Sequence, residues 1–165
     1  MKRGIVSAFL LCAVSAGLAA NKPNFSGTWV LDKSKSFSNG PGLDQTIVVA
    51  HDGDRLKLEA KVVSPRGEQL INEEYTLDGK DVEFTPPTPP GGQPPPKGKR
   101  RAAWLPGGRG IVVVDETTAQ TPNGPVPTTV TRKWLLSPDG ATLTIDYFID
   151  RPNGGGESKR VFVKK

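Results

Sequence analysis

The sequence predicts an all-β protein, an antiparallel up-and-down meander of about eight to ten strands that closes into a barrel. Three observations carry that expectation. Short β-rich segments recur at regular spacing, several with strict alternation of apolar and polar residues. Three Asp-Gly pairs, Asp52-Gly53, Asp78-Gly79 and Asp139-Gly140, stand between neighbouring segments, where glycine accepts the positive φ that hairpin turns need. No stretch past the first twenty residues repeats with a helical period. A meander of this many strands removes its exposed edges by closing on itself. A two-sheet sandwich is the alternative closure.

The chain opens with Met1-Lys2-Arg3, an apolar run from Ile5 to Ala16, and the small-residue exit Gly17-Leu18-Ala19-Ala20. This is the anatomy of a cleaved secretory signal peptide over residues 1–20, and its apolar run is too short to span a bilayer. The lone Cys12 lies inside it, so residues 21–165 contain no cysteine and depend on a hydrophobic core. About 145 residues suit one domain. Without Lys2 and Arg3 the balance is 20 basic against 17 acidic residues, +3, too mild to argue for nucleic acid. No later segment is apolar enough for a membrane helix.

The strands follow in order. Phe25-Ser26-Gly27-Thr28-Trp29-Val30-Leu31 begins the first, and Thr46 to Val49 lies in the second. Leu56, Leu58, Ala60 and Val62 alternate with Lys57, Glu59 and Lys61 in the third, as half-buried antiparallel strands do. After Pro65-Arg66-Gly67, the fourth puts Ile71, Tyr75 and Leu77 on one face with Glu73 among them. Asp78-Gly79 is expected to turn a hairpin into Val82 and Phe84. Seven prolines in residues 86–96 exclude a sheet interior, so 86–97 is expected to be an extended loop. The basic run Lys97 to Arg101 follows it. Ala103 to Leu105 and Ile111 to Val114 are further strands. Thr128 to Leu136 places Val130, Trp134 and Leu136 on one face with Arg132 between them. Leu143, Ile145, Tyr147 and Ile149 alternate in the next strand, and Ser158 to Val163 is the last.

Phe25-x-Gly27-Thr28-Trp29-x-Leu31 resembles the opening of the fatty-acid-binding proteins and, more loosely, of the lipocalins. Both are up-and-down barrels that enclose small apolar ligands. Arg160-x-Phe162 is similar to the terminal Arg-x-Tyr of the fatty-acid-binding group, whose arginine and tyrosine hold a ligand carboxylate. Arg132 stands about where that family carries its other interior arginine. Phe162 lacks the tyrosine hydroxyl, and the stretch from Asp32 to Gly42 is too short for that family's two-helix lid. The fatty-acid-binding proteins are cytosolic, whereas this chain carries a leader. The whole pattern resembles more the secreted lipocalin-like, calycin-type proteins of bacteria. There Gly-Thr-Trp recurs with the segment seen here from Ser137 to Ile145, Ser-Pro-Asp-Gly-x-x-Leu-Thr-Ile. That resemblance implies that Trp29 and Arg160 stack to close one end of the barrel.

The residues argue against catalysis. His51 is the sole histidine, and nothing like Gly-x-Ser-x-Gly is present. Without cysteine there is neither a thiol nucleophile nor a sulfur–histidine zinc site. Glu73-Glu74 and Asp115-Glu116 are neighbours in strands, so each pair splits between opposite faces. No enzyme activity, metal, cofactor or nucleic-acid partner is expected. Glu73 and Arg132 each interrupt an apolar face, and an ionised group there must be paired or meet water or ligand. Together with Arg160, Tyr75, Trp134 and Tyr147 they form the expected ligand-binding set. The expected function is a secreted or periplasmic binding protein for a small apolar or amphiphilic molecule. The alternative is an envelope interaction module with a side-chain-filled barrel and a proline-rich, basic docking loop. An internal void of roughly 300 Å³ or more separates the two.

Overall fold

In the computed structural model, which describes residues 22–37, 43–88, 92 and 95–165, ten antiparallel strands form one sheet that curls into a nearly closed barrel. They are β1 (Gly27–Leu31), β2 (Asp44–Asp52), β3 (Arg55–Ser64), β4 (Gly67–Thr76) and β5 (Asp78–Phe84), then β6 (Gly98–Trp104), β7 (Gly110–Thr121), β8 (Gly124–Leu136), β9 (Thr142–Asp150) and β10 (Gly156–Lys164). No α-helix occurs among the described residues, only a 3₁₀ turn at Pro106–Gly108. The expected leader at 1–20, with Cys12, and the centre of the proline-rich loop lie outside the described residues.

Around the barrel the order is β4-β3-β2-β1-β10-β9-β8-β7-β6-β5. The first and last strands are therefore neighbours, paired from Trp29 opposite Lys164 to Leu31 opposite Phe162. The two ends of the ladder are β4 and β5, which follow each other in sequence yet are not partners in the ladder. The expected hairpin at Asp78-Gly79 is corrected by this. Leu77 N–H donates to the Asp54 carbonyl in the β2–β3 turn at 2.8 Å, which draws the chain away from β4. Asp78 then opens β5, and Gly79, at φ +73°, lies in a bulge against β6. A seam without a backbone ladder is left between the β4 and β5 edges, and side chains of β4 reach β6 across it.

The alternation read from the sequence sets which side chains point inward. Leu56, Leu58 and Ala60 of β3 are buried, as are Ile111 and Val113 of β7 and Leu143 and Ile145 of β9. Lys57 and Lys61 face out and pair with Glu74 and Glu68 of β4. At one end Phe25, Trp29 and Trp134 form a sealed floor, with the Phe25 and Trp134 rings edge to face at 6.2 Å. Trp29 Nε1 donates to the Phe25 carbonyl at 3.0 Å. The cation over Trp29 is Lys164, 5.2 Å from the ring centroid, its cross-strand partner. Arg160, expected there, lies four residues earlier on β10 and makes its contacts with Gln45 and Tyr147. The Gly-x-Trp spacing gains a physical reason here: Gly27 has φ +146°, and a Cβ on it would stand 2.8 Å from Lys164 Cε.

His51 ties the segment before β1 to this floor. Its Nδ1 accepts the Phe25 N–H at 3.2 Å, and its backbone N–H donates to Ser26 Oγ at 2.9 Å. Burial holds the imidazole below its ordinary value, against the opposing pull of the Gly53 backbone, Asp54 and Asp52.

Two outcomes are expected. Gly27→Ala lowers the unfolding free energy by about 1–3 kcal/mol in urea titrations. Gly156→Ala, where a Cβ meets nothing within 4 Å, changes it by less than about 0.5 kcal/mol. Because the folded His51 takes its proton at a lower pH than the unfolded chain does, stability is full above about pH 6.5 and declines as the pH falls below it. His51→Gln should flatten that decline when unfolding is followed at pH 7.5 and pH 5.

Candidate ligand-binding site

Above the floor the barrel holds a cavity of about 590 Å³ that is open at its rim. Its deep end is lined by Trp134, Ile145 and Ile47, its waist by Glu73, Asp115, Arg132, Tyr147 and Arg160. Connections at the far end from the floor supply its rim, including Arg151 and both flanks of the proline-rich loop, Pro86, Pro87, Pro95 and Pro96. Gln69 Nε2 of β4 donates to the Thr88 carbonyl at 2.8 Å and holds the loop's first flank across the seam. The loop thus borders the cavity.

The polar waist has two parts. The first is an ionic cluster of four charged side chains and a tyrosine. Arg100 of β6 grips Asp115 of β7 with two bonds, Nε to Oδ1 at 2.6 Å and Nη2 to Oδ2 at 2.8 Å, and reaches Glu73 of β4 at 2.7 Å. Arg132 of β8 donates to Asp115 Oδ2 at 2.6 Å, to Glu73 Oε2 at 3.0 Å and to Tyr75 Oη at 3.2 Å. The Tyr75 hydroxyl donates to Glu73 Oε2. Phe84, which lines the cavity, lies with its ring centroid 3.5 Å from the Arg100 guanidinium carbon.

Two guanidinium groups face two carboxylates, so the cluster is neutral. Its members are at most a tenth exposed, and each charge is met by fixed, opposite, hydrogen-bonded groups. Burial pushes the Glu73 carboxyl upward, but Arg132, Arg100 and the Tyr75 hydroxyl outweigh it and hold the group below its ordinary range. Burial raises the Tyr75 hydroxyl far above its usual range, so it remains a donor. Arg132 stays charged despite burial because Tyr75, Glu73 and Asp115 surround it.

The second part is Arg160 of β10. Its Nη1 donates to Gln45 Oε1 at 2.8 Å and to Tyr147 Oη at 3.3 Å, and its guanidinium lies 4.4 Å from the Tyr147 ring centroid. Among the described residues no carboxylate pairs with it, and Nη2 has no acceptor. Among the described residues, Arg160 Nε, Arg132 Nε and Trp134 Nε1 are buried without an acceptor.

The structure brings all six expected ligand residues to this region. Glu73, Arg132, Arg160, Trp134 and Tyr147 line the cavity, while Tyr75 stands behind Glu73 in the ionic cluster. Glu73 and Arg132 prove to be ion-pair partners. Arg100 and Asp115 escaped the sequence reading. Arg100 belongs to the basic run, which is strand β6, where Lys99 and Arg101 face out and Arg100 faces in. Asp115 was read only against Glu116, from which it does diverge; its partners come from β6 and β8. Inward parity with Ile111 and Val113 was the available signal for Asp115.

Arg132→Met is expected to cost about 3–5 kcal/mol, because Glu73 and Asp115 then share one guanidinium in a buried site. Lys99→Ala, on the outer face, stays within about 0.5 kcal/mol in the same denaturant titration.

No family model matches the chain, and no curated protein matches it in sequence. Among solved structures, it is similar to the zebrafish ileal bile acid-binding protein crystallised with cholic acid. The two share 12% identity and a TM-score of 0.52, over 86% of this chain and 98% of that one. At this identity the likeness concerns the fold, a ten-stranded near-closed barrel around an internal cavity.

Proposed function

We propose that the protein is a non-catalytic carrier that holds a small amphiphilic anion inside the barrel. The observation that carries this reading is Arg160: a guanidinium that, among the described residues, has no carboxylate partner and one uncommitted terminal nitrogen, in the wall of a 590 Å³ cavity. The ligand's anionic group would take Arg160 Nη2 and the Tyr147 hydroxyl, and its apolar body would lie against Ile47, Leu58, Ala60 and Ile71. Arg132 is a poor second anchor, because Glu73 and Asp115 already balance the charge around it. The cavity favours this reading over a barrel filled by its own side chains. That the structurally similar zebrafish protein binds bile acid supports it as an analogy of fold. The leader expected over residues 1–20 would place that action in a secreted or periplasmic setting.

Calorimetric titration with stearate and with octadecanol tests the assignment. Stearate should bind the wild type more tightly, and Arg160→Leu should weaken stearate about ten- to a hundredfold while leaving octadecanol unchanged. Failure of stearate to bind, or equal losses for acid and alcohol, would sink the reading.

A further inference from the structure

We propose that the bound amphiphile carries a hydroxyl group on its body, taken by Thr117 and Thr128. This deepens the carrier reading and rests on it. Thr117 of β7 and Thr128 of β8 are directly opposed cross-strand partners, both half-buried and both in the cavity wall. Their hydroxyls have no partner among the described residues, and they are not among the polar groups sealed away from the cavity. Thr121, further toward the rim, differs: its hydroxyl is committed to the Gly124 carbonyl at 2.7 Å.

The wall across the cavity is built from Ile47, Leu58, Ala60 and Ile71, which offer no hydrogen bond. Glu73 and Gln45 on that same side are engaged by Arg100, Arg132 and Arg160. Arg160 and Tyr147 on β10 and β9 continue the same arc of adjacent strands that carries the threonine pair. A plain methylene chain threaded through it would leave two hydroxyls against hydrocarbon, at the cost of desolvating them. A hydroxyl on the ligand removes that mismatch, since each threonine offers one donor and two acceptor positions. Sites built around such a bond reject the analogue that lacks the group.

The probes are stearate, 10-hydroxystearate and 12-hydroxystearate, titrated into the purified protein. At least one hydroxy acid should bind about tenfold more tightly than stearate. The double variant Thr117→Val, Thr128→Val keeps side-chain shape and strand preference. It should abolish that preference by tightening stearate severalfold and weakening the hydroxy acid, with the fold checked by circular dichroism. Arg160→Leu should weaken all three acids alike. Equal affinity for the three acids, or a preference that survives the double valine variant, would overturn the inference while leaving the carrier reading standing. Failure of all three acids to bind would overturn both.

Discussion

The closure of this barrel rests on the ionic cluster at its waist. Nine of the gaps around the ring are sealed by backbone ladders, and the one between β4 and β5 is not. Across that seam, Glu73 reaches Arg100 of β6 and Arg132 of β8, and Tyr75 adds its hydroxyl. Gln69 and the Thr88 carbonyl make a second, exposed tie near the rim. Buried charges seldom stabilise a fold better than well-packed apolar residues would. Here they do something an apolar plug could not, because they fix the register of strands that share no ladder.

The same cluster decides the electrostatics of the cavity. By matching two guanidinium groups with two carboxylates, it withdraws Arg132 and Arg100 from service to an anion and leaves Arg160 as the unbalanced charge at the waist. The hydroxyl that Phe162 lacks arrives from the adjacent strand through Tyr147. Tyr147 stands diagonally across from Arg160, which faces Ile145 in the ladder, and diagonal neighbours are about as far apart as positions i and i+2 in one strand.

Much of this was legible from the chain. Period-two alternation identified the inward faces, and the polar interruptions at Glu73 and Arg132 marked the waist. What escaped depended on who stands beside whom. Arg100 lies in a run of cations that reads locally as solvated, and only the start of β6 at Gly98 gives it an inward parity. Trp29 meets Lys164 instead of Arg160 because the β1–β10 register places those two opposite each other. Asp78-Gly79 has the chemistry of a hairpin turn, but a bond from Leu77 to the distant β2–β3 turn outweighs it. Turn signals are local, whereas strand partnership is settled by contacts far apart in sequence.

The pairing of β1 with β10 has a kinetic side. Trp29 opposite Lys164 joins the two ends of the described chain, so this contact has a sequence separation close to the maximum the chain allows. Nearly all the loop-closure entropy must be lost before that ladder forms, which places the fold among slow, high-contact-order topologies. During synthesis the strands from β2 to β4 and from β5 to β9 can zip as successive hairpins, but β1 must wait for β10 before it gains its second neighbour. Until then Trp29 lacks the Lys164 chain that covers it, and an apolar edge stays open. A chain of this design is most exposed to misassociation in the interval before its last strand arrives.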